Sequence, residues 1–382
     1  MYKTAFSIDQ FMAEFWQQRP CLLKQGIIDF VDPLSAEELA GLAMEEDIQS
    51  RIVSHKAGHW TALQGPFEDF GILGESHSSL LVQGVNHWNG NIANLAEAFS
   101  FIPNWRFDDV MVSYSTTKGG VGPHIDQYCV FIIQGSGTRH WRVGNKQVLK
   151  EFTSDDKLKH CEDFIADIDV ILEPGDVLYI PPGCPHEGYA IEPAMNYSVG
   201  FRAPDAKELL SGFADYMLRH DVKAKRFIDP KRPPSKEYGR IAENDIIGLN
   251  KLMISLLNSP TNTAHFLGEY LSETAHSSDL CVLSDAEDQI DYHRLHANMD
   301  EGLVLKRCAG VKALYLDVLP YQLFVDGHAY KIPTCSWALA KSLCDYSRVD
   351  SHSFRAFNED AKQLDWLIEL INAGYWYFDE ID

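Results

Sequence analysis

Three side chains in the middle of the chain have the types and the spacing of a metal site. His124 and Asp126 stand two residues apart, and His186 follows about sixty residues later. Residues i and i+2 of an extended segment point to the same face, so His124 and Asp126 can bind one ion together. An imidazole from a later strand would complete one face of an octahedron and leave the other positions open. Two histidines and one carboxylate in this arrangement favour non-haem Fe(II) and oxygen chemistry.

The segment before His186 supports this interpretation, because a His-x-Asp pair by itself is a weak signal. Gly175, Pro181, Gly183 and His186 have the spacing Gly-x5-Pro-x-Gly-x2-His, which is typical of the second motif of the cupin superfamily. Gly175 turns the chain into a short apolar strand, and the Pro-Pro-Gly run that ends at Gly183 breaks that strand. His186 can then open the next strand and face the interior of a barrel.

Short strands separated by Gly and Pro turns must position these residues. Apolar or alternating runs predict strands over residues 109–115, 128–133, 139–143, 170–172, 177–180, 187–191 and 195–201. So many short strands indicate a barrel or a double-sheet jelly roll. The mouth of such a barrel is a usual place for a small-ligand pocket.

The chain before residue 109 mixes helices with less regular segments. Ser7 can cap a first helix, and Ser35 opens a second helix with a capping-box pattern. Residues 92–99 predict a third helix. Residues 51–55 alternate as an edge strand would, and residues 58–90 have no regular pattern.

Composition limits the class of protein. The chain has 382 residues, enough for two or three domains, and a formal net charge of −22. Such a charge argues against direct nucleic-acid binding, which needs a basic face. The eight Cys residues include no Cys-x-x-Cys pair, which is typical of reduced thiols in a cytoplasmic protein. Because no apolar stretch approaches the length of a membrane span, we expect a cytoplasmic protein without membrane contact.

These motifs resemble those of the JmjC-type oxygenases and, more narrowly, of the bacterial ribosomal oxygenases among the cupin-fold 2-oxoglutarate dioxygenases. The resemblance covers residues 1–205 strongly and the rest of the chain by its overall layout. It rests on Phe15-Trp16 before Arg19-Pro20, on the pair His124 and Asp126, on Arg139, and on the block over residues 175–186. The bacterial members of this family hydroxylate an arginine of a large-subunit ribosomal protein, the sixteenth in the standard count.

The resemblance implies a chemistry that agrees with the three candidate ligands. His124, Asp126 and His186 would hold Fe(II), with 2-oxoglutarate and O2 as co-substrates at the open positions. Oxidative decarboxylation of 2-oxoglutarate to succinate and CO2 would accompany hydroxylation of a C–H bond. The iron carries the difficult chemistry, and the protein orients the reactants and excludes competing reactions.

A dianionic co-substrate needs a cation at its far end, and Arg139 is the candidate. A guanidinium binds a carboxylate through two parallel hydrogen bonds, and Arg139 opens the strand after the central one. Many relatives in the wider JmjC group use Lys for this task, so Arg139 is a departure shared with the ribosomal branch. The competitor, Arg142, lies three residues on and should face the opposite side. Ser113 and Ser115 share one face of an otherwise apolar strand, and Ser113 resembles the family position that helps hold the co-substrate.

We predict an α+β fold in three parts. Residues 1–205 would form a double-stranded β-helix (cupin or jelly-roll) JmjC domain whose barrel core spans about 105–203. Residues 206–278 would form a helical dimerisation region and residues 279–382 a winged-helix-like domain. The apolar stripe of the helix predicted over 243–257 is wide for one small helical unit, so we expect a homodimer. The acidic C-terminal part argues for packing or docking of a protein substrate and against phosphate binding.

Three alternatives stay open. The first is hydroxylation of another protein residue, such as histidine, by the same chemistry. The second is a metal cupin that does not use 2-oxoglutarate; such enzymes usually carry His-x-His followed by Glu, where this chain has Asp126 and Val130. The third is a metal-free binding module on the same scaffold, which the intact ligand spacing disfavours. Succinate release that depends on Fe(II) would separate these classes.

Overall fold

The structure is a computed structural model that describes residues 2–155, 158–230, 232–274, 289–318, 321–333, 336–350 and 361–379. The chain divides into two compact units, the first ending at Ala203 and the second beginning at Pro204. The predicted boundary at residues 278 and 279 lies outside the described residues.

The first unit consists mainly of strands. Its helices are α1 (Ile8–Glu14), α2 (Ala36–Leu42) and α3 (Gly90–Ala96). Its strands are β1 (Cys21–Leu23), β2 (Ser50–Lys56), β3 (His59–Gln64), β4 (Ser78–Val82), β5 (Phe107–Ser115), β6 (His124–Ile125), β7 (Cys129–Gln134), β8 (Arg139–Val143), β9 (Glu151–Asp155), β10 (Leu158–Cys161), β11 (Ile168–Leu172), β12 (Val177–Ile180), β13 (Pro185–Ala190) and β14 (Ala194–Phe201).

The second unit mixes helices with short strands. Its helices are α4 (Ala206–Arg219), α5 (Glu243–Leu257), α6 (Pro260–Ser272), α7 (Tyr292–Asp300), α8 (Trp337–Asp345) and α9 (Ala361–Asn372). Its strands are β15 (Val304–Arg307), β16 (Ala313–Leu316), β17 (Gln322–Val325), β18 (His328–Lys331), β19 (Arg348–Val349) and β20 (Trp376–Asp379), in sheets of order β19-β15-β20 and β16-β17-β18.

Two antiparallel sheets build the barrel of the first unit. The larger sheet has the order β1-β12-β7-β14-β5-β4-β2-β3, and the smaller has the order β11-β8-β13-β6. Alternation along β7 and β8 turns Val130, Ile132, Trp141 and Val143 towards one shared core between the sheets. Burying each such apolar side chain contributes about 1.5–3 kcal/mol, so this core holds the two sheets together. The expected double-stranded β-helix is therefore confirmed.

The opposite face of the larger sheet packs against the N-terminal helices. Phe11 of α1 meets Tyr179 of β12 edge-on, with ring centroids 4.9 Å apart, and Trp16 stacks on Phe131 of β7. The predicted caps are present: Ser7 accepts from the backbone of α1, and Ser35 forms a capping box at α2. This second core covers the barrel on the side away from the candidate ligands.

Two expectations for the region before residue 109 were wrong. The strand over residues 51–55 is not at an edge, because β2 lies between β4 and β3. Residues 58–90 contain β3 and β4 rather than irregular chain. All five residues of β4 are buried, including Ser78 and Ser79, whose hydroxyls bond to neighbouring serines, so β4 lacks the polar alternation that marks a half-buried strand.

Candidate metal centre

The three predicted ligands converge at one end of the barrel. Strand pairing between β6 and β13 places His124 directly opposite His186, and Asp126 follows β6 immediately. The Nε2 atoms of His124 and His186 lie 3.7 Å and 3.6 Å from the same Asp126 oxygen, Oδ2. One ligand atom from each residue lies within 4.8 Å of the others, a spacing that could hold a single ion. Among the described residues this is the only such group of His, Cys, Asp and Glu.

Backbone carbonyls fix which nitrogen of each ring faces the centre. His124 Nδ1 lies 2.9 Å from the Gly122 carbonyl, and His186 Nδ1 lies 3.0 Å from the Cys184 carbonyl. A carbonyl oxygen can only accept, so each Nδ1 carries the proton and donates it. Each Nε2 is left with a free lone pair, which is the tautomer that a metal ligand needs.

His186 is the most enclosed of the three ligands. Its side chain is 2% exposed, against 24% for His124 and 22% for Asp126. Burial and the neighbouring His124 lower the pKa of His186 to about 4, although Asp126 opposes the shift. The imidazole therefore stays neutral in the folded, metal-free protein at ordinary pH and is ready to bind a cation.

This lowered pKa predicts that the metal-free protein loses stability in mild acid. The folded pKa of about 4 lies below the ordinary value of 6.5, so the unfolded chain binds more protons between these two values. Stability should be highest above about pH 6.5 and fall towards pH 4, by about 3 kcal/mol from this group. Urea unfolding of chelator-treated protein across that range measures it. His186→Asn should remove most of this slope, whereas His59→Asn, at an exposed histidine, should keep it.

Tyr128 supports the carboxylate ligand from within the barrel. Its hydroxyl hydrogen-bonds to Asp126. Burial and the negative charges of Asp126 and Asp109 raise the pKa of Tyr128, so the phenol keeps its proton and can donate it. Sequence reasoning did not single out Tyr128, because the chain bends at residues 127 and 128 and strand alternation does not relate Tyr128 to Asp126.

Arg139 lies inside the barrel on the same side as the two histidines. In the β8–β13 register, Val143 stands opposite His186 and Arg139 opposite Ala190. Val143 and Arg139 are four positions apart on β8, so the backbone of Arg139 lies roughly 13 Å along the strand from the position opposite His186. This distance leaves room for a small diacid between the ion site and the arginine.

The Arg139 guanidinium is buried without a counter-ion among the residues that the structure describes. The residue is 4% exposed, makes no ion pair with the described residues, and has a pKa lowered to about 10 by burial. Its Nη1 donates to Ser115 Oγ at 3.2 Å and Ser113 Oγ at 3.4 Å, and its Nη2 donates to the Gly188 carbonyl at 3.2 Å. An unpaired buried cation is costly unless an anion completes it, so the arrangement fits a carboxylate ligand.

Other polar groups on this inner face also lack partners. Asn196 of β14 stands opposite Ser113 and Gln134, so all three point to the barrel interior. Both amide atoms of Asn196, the Oε1 of Gln134 and the Nε1 of Trp141 are buried with no hydrogen-bond partner among the described residues. Buried polar groups are rarely left unpaired, so these atoms indicate a cavity that receives a polar ligand. Strand alternation alone does not decide whether Asn196 faces the barrel interior, because either face of the strand is possible.

Two polar residues of β8 lie outside the candidate site, and Arg142 is the one that the sequence predicts to face the opposite side from Arg139. Arg142 faces away from the barrel interior and pairs with Glu187 at 2.6 Å and Asp163 at 3.3 Å. His140, next to Arg139 in the chain, hydrogen-bonds to Asp169 at 2.6 Å on the outer side. The alternation of β8 therefore separates an inner arginine from an outer one.

Comparison with known proteins agrees with the fold and the site. The JmjC domain family matches residues 94–209, and a winged-helix family described as ROXA-like matches residues 255–377. The jelly-roll barrel, its His, Asp and His cluster and the JmjC match together define the class as a JmjC-type oxygenase. The winged helix follows as a separate domain. The expected winged-helix-like C-terminal part is also confirmed.

Whole-chain relatives narrow this class. The Escherichia coli protein named ribosomal protein uL16 3-hydroxylase is 42% identical over 99% of both chains. A probable ribosomal oxygenase of Haemophilus influenzae is 28% identical over 95% of this chain and 88% of its own length. The structure of the E. coli ribosomal oxygenase YcfD in complex with cobalt and 2-oxoglutarate matches with a TM-score of 0.89 and 41% identity over 99% of this chain and all of YcfD. The chain belongs to the ribosomal oxygenase family, and the predicted resemblance is confirmed.

The described residues also bear on membrane association. None of their helices has both the length and the apolar character required to cross a bilayer.

Proposed function

We propose that this protein is an Fe(II)- and 2-oxoglutarate-dependent oxygenase that hydroxylates an arginine side chain of the sixteenth large-subunit ribosomal protein, uL16. The observation that carries the proposal is the buried Arg139, which has no ion pair among the described residues and shares a barrel face with His186. A dianionic co-substrate with one end at the metal ligands and the other at Arg139 would neutralise that charge.

His124, Asp126 and His186 would hold the iron through two imidazole nitrogens and one carboxylate oxygen. Imidazole and carboxylate donors suit Fe(II), and three protein ligands leave positions for the co-substrate and O2. When bound, the iron supplies the activation of O2 and the oxidation of the target C–H bond. The protein's part is to keep both Nε2 atoms deprotonated and aimed, through the Gly122 and Cys184 carbonyls.

Arg139, Ser113 and Asn196 would bind and orient the 2-oxoglutarate. The guanidinium would take the far carboxylate through two parallel hydrogen bonds, with Ser113 and Ser115 holding Nη1 in place. The Asn196 amide, which has no hydrogen-bond partner in the described part of the chain, lies on the same inner face and can serve as donor to an anionic ligand. A single bound orientation would present the keto acid end to the ion.

A buried carboxylate close to Tyr128 favours a cationic target residue. Asp109 of β5 is 4% exposed, accepts a hydrogen bond from Gln83 at 2.7 Å, and lies close enough to Tyr128 to raise its pKa. Because Tyr128 bonds to Asp126, this places a second acid near the centre. The negative charge of this acid would favour an arginine substrate, which is cationic, over a neutral histidine. The name of the E. coli relative, uL16 3-hydroxylase, supports uL16 as the protein that carries the arginine.

Hydroxylation of isolated uL16 tests this function directly. The protein, Fe(II), 2-oxoglutarate and uL16 should yield succinate and a uL16 peptide heavier by one oxygen atom, placed on an arginine by fragmentation. Oxygen on a histidine would instead support the alternative target. Iron binding without succinate release would support a metal cupin that does not use 2-oxoglutarate.

We further propose a homodimer formed through the helical region that follows the barrel. Helix α5 has no buried residue, yet it exposes Ile246, Ile247, Leu249, Met253 and Ile254 to different degrees. Leu210 and Leu218 of α4 are exposed as well. Soluble proteins seldom leave so many large apolar side chains uncovered together, and a second copy meeting the same face in a two-fold arrangement would cover them.

Placing charge on this face should separate the protomers. Ile246 and Met253 are 57% and 62% exposed and stand seven residues apart, so they share one side of α5. Ile246→Glu together with Met253→Glu should shift the mass measured by light scattering from two chains to one. Lys251→Glu, at an exposed polar position on the same helix, should leave two chains. A wild-type protein that scatters as one chain would contradict the proposal.

The domain division, the cellular location and the kind of partner complete the proposal. We propose three parts, over residues 1–205, 206–278 and 279–382, with the last serving packing or substrate docking. A ribosomal protein substrate places the enzyme in the cytoplasm. The net charge of −22 suits a basic ribosomal protein as partner and disfavours direct nucleic-acid contact.

A further inference from the structure

A buried histidine outside the ligand set braces the segment that precedes His124. We propose that His160 of β10 is a positioning residue that sets the orientation of the His124 ring by clamping the Gly122 peptide. This inference rests on the proposed metal centre. It adds a residue that lies 36 positions after His124 in the chain and that no ligand motif includes.

Two successive residues of β10 anchor the chain on either side of Gly122. His160 Nε2 donates to the Val121 carbonyl at 2.7 Å, and the Cys161 backbone N–H donates to the Pro123 carbonyl at 2.9 Å. The carbonyl between them, that of Gly122, accepts the Nδ1 proton of His124 at 2.9 Å. The peptide that orients the ligand is therefore held from both neighbours by one strand.

The hydrogen bonds of His160 determine its tautomer. The Val121 carbonyl can only accept, so Nε2 must carry a proton. Nδ1 lies 2.8 Å from Ser154 Oγ of β9, so in the neutral ring Nδ1 accepts from that hydroxyl. The ring is 2% exposed and meets the edge of Trp60 at a centroid distance of 4.8 Å. Both its position and its donor direction are thus specified.

The contact with Gly122 is close enough to exclude any side chain. Gly122 has φ +82°, and a Cβ built there would lie 2.6 Å from His160 Nε2 and 2.9 Å from Trp60 Cζ2. A glycine is needed because the backbone passes directly beneath the imidazole. The His160 imidazole therefore occupies the space that a side chain at residue 122 would need.

The two ligand histidines differ in how much sheet supports them. His186 lies in the six-residue strand β13, which pairs with both β8 and β6. His124 lies in the two-residue strand β6 at the edge of that sheet. A ligand on so short a strand needs support from elsewhere, and the His160 clamp supplies it at the carbonyl that bonds to the ring. Residues that hold a metal ligand in place through hydrogen bonds usually affect metal affinity as well as packing.

Cobalt titration of chelator-treated protein tests this role. Co(II) binding is followed by its visible d–d absorption in the wild type, His160→Phe, His160→Gln and His140→Phe. His160→Phe keeps a packed ring but loses the donor, so the Co(II) Kd should rise by about tenfold and the band shape should change. His160→Gln can present an N–H near the position of Nε2 and should recover most of the wild-type affinity. His140→Phe removes a hydrogen-bonded histidine from the outer face and should match the wild type.

Each outcome decides the inference. Wild-type affinity and spectrum in His160→Phe would overturn it while leaving the metal centre intact, and so would equal losses in His160→Phe and His140→Phe. A wild-type protein that binds no Co(II) would overturn the metal centre and this inference together. Should His160→Phe fail to fold, Ser154→Ala removes only the hydroxyl that sets the tautomer. That variant should weaken Co(II) binding in the same direction by a few-fold, and an unchanged Kd would count against the clamp.

Discussion

Asp126→Ala is expected to abolish hydroxylation and to release the metal. Asp126 supplies the only carboxylate among the three converging ligands, and its Oδ2 lies 3.6–3.7 Å from both histidine Nε2 atoms. Two neutral imidazoles would then hold a dication without any compensating charge. Substitution of a residue that only hydrogen-bonds to a metal ligand typically lowers metal affinity about 10–100-fold. Because Asp126 is itself a ligand, we expect its loss to lower metal affinity by more than about a hundredfold.

The fold should survive this substitution. The Asp126 side chain is 22% exposed, and its backbone carbonyl keeps the hydrogen bond from Gly183 N–H at 2.8 Å. The free energy of unfolding should fall by about 1–3 kcal/mol, because the Tyr128 hydroxyl loses its acceptor. Circular dichroism and urea unfolding would confirm a folded variant.

The activity of Asp126→Ala is measured by succinate release and by the mass of uL16, and its metal affinity is measured by Co(II) titration. Asp169→Ala is the matched control, because Asp169 also pairs with a histidine, His140, but on the outer side of the barrel with a 61% exposed side chain. That variant should keep full turnover. Activity in Asp126→Ala comparable to that of the wild type would remove the proposed metal centre.

Arg139→Met should raise the KM for 2-oxoglutarate steeply while leaving metal binding intact. A charge-assisted contact with a carboxylate contributes about 1.5–3 kcal/mol, which corresponds to a roughly ten- to hundredfold change in binding. Methionine keeps much of the side-chain volume, so the effect should report the lost charge rather than a cavity. Initial rates at varied 2-oxoglutarate measure it.

The same variant should behave unusually in stability measurements. Without co-substrate, the wild type carries a buried guanidinium that has no ion pair among the described residues, so Arg139→Met should be equally or more stable. A ligand present at a hundred times its Kd stabilises the native state by about 2.7 kcal/mol. 2-Oxoglutarate with a non-reactive divalent metal should therefore raise the Tm of the wild type and scarcely raise that of the variant.

Arg142→Met is the control for this prediction. Arg142 stands on the same strand, but it pairs with Glu187 at 2.6 Å outside the barrel. Its loss should leave the 2-oxoglutarate KM unchanged. Equal KM effects from both arginine variants would indicate general damage to β8 and would count against Arg139 as the co-substrate anchor.

Local spacing accounts for most of what could be predicted about the site. His124 and Asp126 share a face because strand side chains alternate, and the Gly and Pro turns before His186 set where β13 begins. Alternation also separates the inner Arg139 from the outer Arg142, as the structure has them. These inferences need only a few consecutive residues, so they do not depend on knowing the fold.

Alternation could not assign a direction where both faces of a strand are buried. Asn196 lies on β14, between β7 and β5 in the larger sheet, and seven of its eight residues are buried. Such a strand has no polar face to mark the solvent side. The same difficulty applies to β4, because all five of its residues, including two serines, are buried and no polar face marks the strand.

The residue types, their spacing and the turn chemistry are local properties, and they were sufficient to indicate the candidate ligand triad, the jelly-roll class and the arginine proposed as co-substrate anchor. Three features depend on strands that are distant in the chain: the lack of an ion pair at Arg139 among the described residues, the inward direction of Asn196, and the hydrogen bond of His160 to Val121 beside Gly122. Only folding decides which distant strands pair and in which register, because a shift of one residue would turn each of these side chains to the opposite face.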